Sequence, residues 1–300
     1  MKMRLYKNHS RLLTALAVMA ALAAAAFGQA PEASYPAAMK AWREKREAEL
    51  KSDNGWLTVA GLFWLKEGAN RFGTDPSNEI VLPEGSTLGR AGVFEFNGGR
   101  ATLRAEPGAN IFSEGRPVTA LEIRTDADER PSVLNAGSVT MQVIKRGARF
   151  GVRVKDKNSR QRREFAGLRW FPVKEPLRVT ASFVAYDEPR DIPIANVLGD
   201  VQNMPSPGYA QFEMGGKMYR LDPVLDGKKL FFIFSDLTSG KSTYPAGRFL
   251  YSDPPVDGVV VLDFNQAINP PCAFTSFATC PLPPRQNRLK VAISAGEKKP

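Results

Sequence analysis

Histidine is almost missing from this chain. The 300 residues hold one, His9, inside a segment that reads as a leader. Residues 31–300 therefore carry no Ser-His-Asp triad, no Cys-His pair, no histidine general base and no histidine-bound metal. Catalysis would have to rest on carboxylates, tyrosine, lysine, arginine or a thiolate. Cysteine is nearly as scarce, with Cys272 and Cys280 alone. Tetrahedral zinc needs two ligands beyond these, so neither a metal nor a cofactor is expected. Past residue 30, no apolar stretch approaches the roughly 20 residues of a membrane-spanning helix. No internal repeat and no nucleic-acid-binding motif is present, so no nucleic-acid partner is expected.

What the chain does have begins with an export signal. Lys2, Arg4, Lys7 and Arg11 form a basic start, Leu12 to Phe27 is apolar and alanine-rich, and Gly28-Gln29-Ala30 supplies small residues for cleavage. Residues 1–30 are expected to be a cleaved signal peptide, leaving 31–300 as a periplasmic or secreted product with no transmembrane anchor. Removing them takes four basic residues and no acidic ones, and the net charge falls from +10 to +6. A moderately basic surface suits anionic partners such as an envelope polymer. In an oxidising compartment Cys272 and Cys280 are expected to pair, closing a short ring that stabilises the fold by about 2.5 kcal/mol in the chain-entropy model.

Residues 36–51 read as a helix that Asp53-Asn54-Gly55 stops. From there the pattern is strand-like. Trp56 to Leu65 is an apolar run, with Trp56 and Trp64 sharing a parity. Asn97-Gly98, Gly147 and Gly215-Gly216 each sit between strand formers and predict hairpins. Leu177 to Tyr186 reads as a long strand. Leu230 to Phe234 and Val259 to Leu262 read as central strands, and Leu289, Val291 and Ile293 as a last one. A dozen or more short strands and one N-terminal helix predict a mainly β protein, with sandwich or barrel-like antiparallel sheets. Residues 31–300 are taken as one family domain. A subdivision near 170–176, between Pro172 and Pro176, would give parts 31–172 and 176–300.

Few residues suggest chemistry. Thr238-Ser-Gly-Lys-Ser-Thr243 lacks the first glycine of a phosphate loop and is followed by Tyr244-Pro245, so a polar turn is expected. Polar residues gather around it and around the cysteine loop. Lys241, Tyr244, Arg248, Asn265, Asn269 and Arg288 are candidates for holding an anion, with arginine able to grip it bidentately. Asp236 and Asp263 are a speculative acid–base pair. Nine cations fall within residues 145–163 (Lys145, Arg146, Arg149, Arg153, Lys155, Lys157, Arg160, Arg162, Arg163). They read as the solvated outer face of an edge hairpin, or else as a patch for anionic polymers.

Four segments carry a family resemblance. They are Gly55-Trp-Leu-Thr-Val-Ala-Gly-Leu-Phe-Trp-Leu-Lys-Glu-Gly68, Phe165-Ala-Gly-Leu-Arg-Trp-Phe-Pro-Val173, Asn269-Pro-Pro-Cys through Cys280-Pro-Leu-Pro-Pro284, and Ala295-Gly-Glu-Lys298. Together they resemble domain of unknown function 1684, from about Trp42 to Lys298. The resemblance implies a mostly bacterial, often exported protein, and it brings no catalytic residues with it. The residues themselves favour a non-enzymatic binder of a small or polymeric anionic ligand. The alternatives are a carboxylate-based hydrolase or lyase of envelope material, and a structural envelope protein.

Overall fold

The computed structural model describes residues 34–300; the expected leader, residues 1–30, lies outside them. The described chain divides between a short N-terminal unit that ends at residue 41 and a second, compact unit, residues 42–300. A helix, α1 (Tyr35–Lys51), ends where Asp53-Asn54-Gly55 begins. Its residues within the second unit reach the Phe165–Val173 segment. Arg43 donates to the Phe171 carbonyl, while Glu47 accepts from the Leu168 amide and the Trp170 indole.

Trp56–Thr58 forms a turn of 3-10 helix rather than strand. Eleven strands then follow: β1 (Val59–Trp64), β2 (Gly68–Gly73), β3 (Ile80–Val81), β4 (Gly92–Asn97), β5 (Arg100–Ala105), β6 (Phe112–Ser113), β7 (Arg116–Pro117), β8 (Ala120–Ile123), β9 (Leu134–Ala136), β10 (Val139–Arg146) and β11 (Arg149–Asp156). They make a six-stranded sheet, ordered β1-β11-β10-β9-β6-β7, and a five-stranded one, ordered β3-β2-β4-β5-β8. Strand alternation puts Phe94, Leu103, Met141, Val143, Val152 and Val154 into one shared apolar cluster. The opposite face of β11 carries Arg149 and Arg153. The Asn97-Gly98 and Gly147 hairpins stand where the turn residues predict them, in register Asn97↔Arg100 and Arg146↔Arg149.

After a short helix, α2 (Arg160–Arg163), come β12 (Arg178–Ala195), β13 (Val201–Met214), β14 (Lys217–Leu221), β15 (Val224–Asp226), β16 (Lys229–Phe234), β17 (Arg248–Ser252) and β18 (Val259–Asp263). They form a four-stranded sheet, β14-β13-β12-β18, and a three-stranded one, β15-β16-β17. β16 is central, and its unbroken apolar run is explained by burial on both faces. Leu230, Phe232 and Phe234 join one cluster, Phe231 and Ile233 another.

Two expectations change here. β18 is an edge strand that pairs only with β12, and Val259 and Val261 face outward, 41% and 38% exposed. Residues 289–293 make no regular strand. They run as an extended strap, held by a bond from the Leu237 amide to the Val291 carbonyl. The strap ends in Ala295-Gly-Glu-Lys298, where Gly296 takes φ of 75° and a Cβ would stand 2.3 Å from the Ala267 carbonyl oxygen. Only glycine fits that position.

Candidate ligand-binding site

Cys272 and Cys280 are joined by a disulfide, with Cα atoms 6.2 Å apart. The loop they close is pinned by Tyr244, whose hydroxyl donates to the Cys272 carbonyl at 2.9 Å. The Val197 amide donates to the Cys280 carbonyl at 3.0 Å. Pro271, Thr279, Cys280 and Pro281 form one wall of a cavity of about 650 Å³. The rest of its lining comes from α1 (Trp42, Lys45, Arg46, Glu49), from Trp56, from Arg146 and Arg153 of the β10–β11 hairpin, and from Phe231, Phe249 and Tyr251 of β16 and β17. Tyr251 stacks on Phe231 at 4.7 Å with planes 10° apart, and Phe249 meets Phe231 edge-on at 4.8 Å. These rings make an aromatic shelf.

The lining is rich in cations, but nearly all of them are neutralised. Arg46 pairs with Glu297 at 2.9 Å, Arg146 with Asp126 at 2.7 Å, Lys45 with Glu49 at 3.9 Å and Lys229 with Asp253 at 3.3 Å. Arg153 is different. It is 8% exposed, its guanidinium lies 5.1 Å over the Trp56 ring, and its Nε and Nη2 have no hydrogen-bond partner among the described residues. Burial, with Arg146 adding like-charge repulsion, lowers its pKa to about 10, and Asp126 offsets this only in part. Burying those two donors without a hydrogen bond destabilises the fold, and the stacking on Trp56 offsets this only in part. A second orphan belongs to Asn269, which lines this cavity and a smaller one beside Lys298. The Asn269 side chain is fully buried and its Nδ2 donates to the Lys298 carbonyl at 2.8 Å, which leaves Oδ1 buried with no donor.

The nine-cation run separates accordingly. β11 lies between β1 and β10, so the hairpin is not at a sheet edge. Arg149 pairs with Asp200, Lys157 and Arg162 with Asp53, and Arg160 with Glu164. Lys155 and Arg163 donate to the Asn54 and Asn158 carbonyls, and Lys145 lies over the Phe150 ring. Arg153 alone of the nine is buried. The run named it without distinguishing it.

Of the six residues expected to hold an anion, Asn269 alone lines this cavity. Arg248 is 1% exposed, and its guanidinium is bonded to Asp236 and to the Ile293 and Ala295 carbonyls. Its charge braces the strap and is not available to a ligand. Asn265 is buried against the Lys174 backbone, at 3.0 and 2.9 Å. Tyr244 holds the cysteine loop, while Lys241 and Arg288 are exposed. Asp236 accepts from Arg248 and Thr238, and Asp263 caps the 264–266 turn. The two carboxylates thus serve separate structural bonds. Residues 238–243 form the expected polar turn, closed by Thr238 and Thr243. Trp56 and Arg153 were visible as types; their apposition is tertiary.

The fold and the cavity define a class: a β-rich protein with a half-open cavity partly lined by aromatic rings. Residues 163–298 match the family described as protein of unknown function (DUF1684), and the chain belongs to that family through them. The matched stretch contains Asn269, the cysteine loop and the strap, while Trp56 and Arg153 precede it. An uncharacterized protein of Haloarcula marismortui, solved by NMR, is 30% identical over 46% of this chain and 79% of its own, with a TM-score of 0.39. An FHA domain studied for phosphothreonine-dependent interactions is 17% identical over 31% of this chain and 92% of its own, with a TM-score of 0.23. No curated protein matches. Among the described residues, no helix is long and apolar enough to cross a membrane.

Proposed function

We propose that this is an exported, non-enzymatic protein that binds a small anionic ligand in the cavity between the cysteine loop, the β10–β11 hairpin and the β16–β17 aromatic shelf. One observation carries the reading: Arg153, in the wall of a cavity of about 650 Å³, has a buried guanidinium whose Nε and Nη2 lack partners. Export is supported by the leader-like residues 1–30 and by the Cys272–Cys280 disulfide. A hydrolase working through Asp236 and Asp263 is disfavoured, because each carboxylate is already engaged with its own structural partners.

The test is a calorimetric titration of the purified protein with organic acids and their neutral analogues. Binding of acids alone, lost in Arg153→Met, is the expected result. Acids that bind Arg153→Met as well as the parent would refute an Arg153-anchored site.

A further inference from the structure

The geometry points to a more specific ligand for the site just proposed, on which this inference rests: a hydroxylated monocarboxylate with one flat apolar face. A uronic acid and a hydroxyaryl acid both have this chemistry.

Three features define the class. The first is the edge of Arg153 that has no hydrogen-bond partner. Nε and Nη2 lie on the same side of the guanidinium and donate in parallel, which is the fork that matches the two oxygens of a carboxylate. A phosphate oxygen pair fits the same edge, but phosphate brings nearly two negative charges. The cavity holds one uncompensated cation, because Arg46, Arg146, Lys45 and Lys229 are each paired with a carboxylate. Charge balance at the buried Arg153 guanidinium therefore favours the monoanion.

The second feature is the Asn269 Oδ1. The Lys298 carbonyl fixes Nδ2, and the Asn269 amide is engaged by Glu297 at 2.7 Å, so Oδ1 is the group still lacking a donor. A ligand hydroxyl donates to it without introducing a second charge. The third is the Phe231–Tyr251 stack, with parallel planes 4.7 Å apart. A flat surface, whether an aryl ring or the C–H face of a pyranose, packs on such a shelf.

The experiment uses the whole chain and a matched set of probes: glucuronate, glucose, 4-hydroxybenzoate, benzoate, phenol and inorganic phosphate. At least one hydroxylated carboxylate is expected to bind. Its dehydroxylated or uncharged counterpart is expected to bind at least about tenfold more weakly, since each leaves a buried group unmatched. Inorganic phosphate is expected to bind more weakly than the best acid. Whichever of glucuronate and 4-hydroxybenzoate binds tighter identifies the source. Arg153→Met abolishes binding, and Arg153→Lys, which keeps the charge but loses the fork, weakens it. If benzoate equals 4-hydroxybenzoate and no hydroxyl matters, or if phosphate binds tightest, this inference is overturned while the anion site stands. If no acid binds, or Arg153→Met binds like the parent, both are overturned.

Discussion

Arg153 is the residue on which stability and binding oppose each other. A guanidinium buried without a partner destabilises the fold, and an apolar side chain of similar length removes that penalty. Arg153→Met is therefore expected to raise stability by about 1–3 kcal/mol while abolishing anion binding. Chemical denaturation followed by tryptophan fluorescence checks the first half. A structural arginine would show the reverse sign. The pH dependence follows from the same burial. The Arg153 pKa is lowered to about 10 by burial, so the destabilising charge is fully present below about 10. It fades as pH rises from 10 toward the unfolded value. Binding runs the other way, because only the charged form grips an anion. Between pH 7 and 10.5 the affinity for a carboxylate is expected to fall about fourfold, following the protonated fraction. Titration calorimetry across that range reads the slope. The buried Asp236–Arg248 pair is a different case, since each charge is matched. Asp236→Ala strands Arg248 and should cost about 3–5 kcal/mol, and Arg248→Met in the same chain should recover much of it.

At the scale of elements, the cysteine loop is a wall. The Cys272→Ser/Cys280→Ser variant is expected to lose about 2.5 kcal/mol of stability. Because Thr279, Cys280 and Pro281 line the cavity, its ligand affinity should fall as well. A thermal melt with and without ligand measures both. The same elements show what can be read from the chain alone. Hairpins were legible wherever a local turn decides them, as at Asn97-Gly98 and Gly147, because positive φ is a property of the residue and needs no partner. Edges were not legible. The run Val259 to Leu262 has the apolar content of a central strand, yet its outer valines meet no second layer. Leu289, Val291 and Ile293 alternate like a strand, but the strap bonds to isolated groups such as the Leu237 amide and the Arg248 guanidinium rather than to a ladder. The proposed site is legible in the sequence only as residue types. Lys241, Arg248 and Arg288 read as anion ligands because they stand among polar residues, yet the Arg248 charge is taken up by Asp236. Burial of Arg153 arises where α1, Trp56 and the β16–β17 shelf meet β11, and no local pattern records that meeting.

At the scale of the whole molecule, we propose a division near residues 170–176. The buried residues of one apolar cluster come from 72–154 and those of a second from 181–295, while a third, drawn from 192–280, meets Trp56 across the division. The strap closes the second. Glu297 accepts from Arg46 and from the Asn269 amide, and the Ile293 and Ala295 carbonyls hold Arg248. Deleting residues 292–300 removes all four bonds together. Hydrogen exchange should then show amides of β12–β18 opening to solvent, while those of β10 and β11 keep their protection. Equal loss in both regions would refute the division.

The strap also orders events in time. The carbonyls that receive Arg248 lie 45 and 47 residues beyond it, so they leave the ribosome or a translocation channel well after Arg248 does. The β1–β11 strands pair only with one another, so their ladders can form while synthesis continues. The bonds of Arg248, Arg46 and Asn269 to the strap cannot form until residues 293–297 have emerged. Until then Arg248, already facing Asp236, is exposed to competing partners, and a pause in elongation between the two positions is where misassembly would begin.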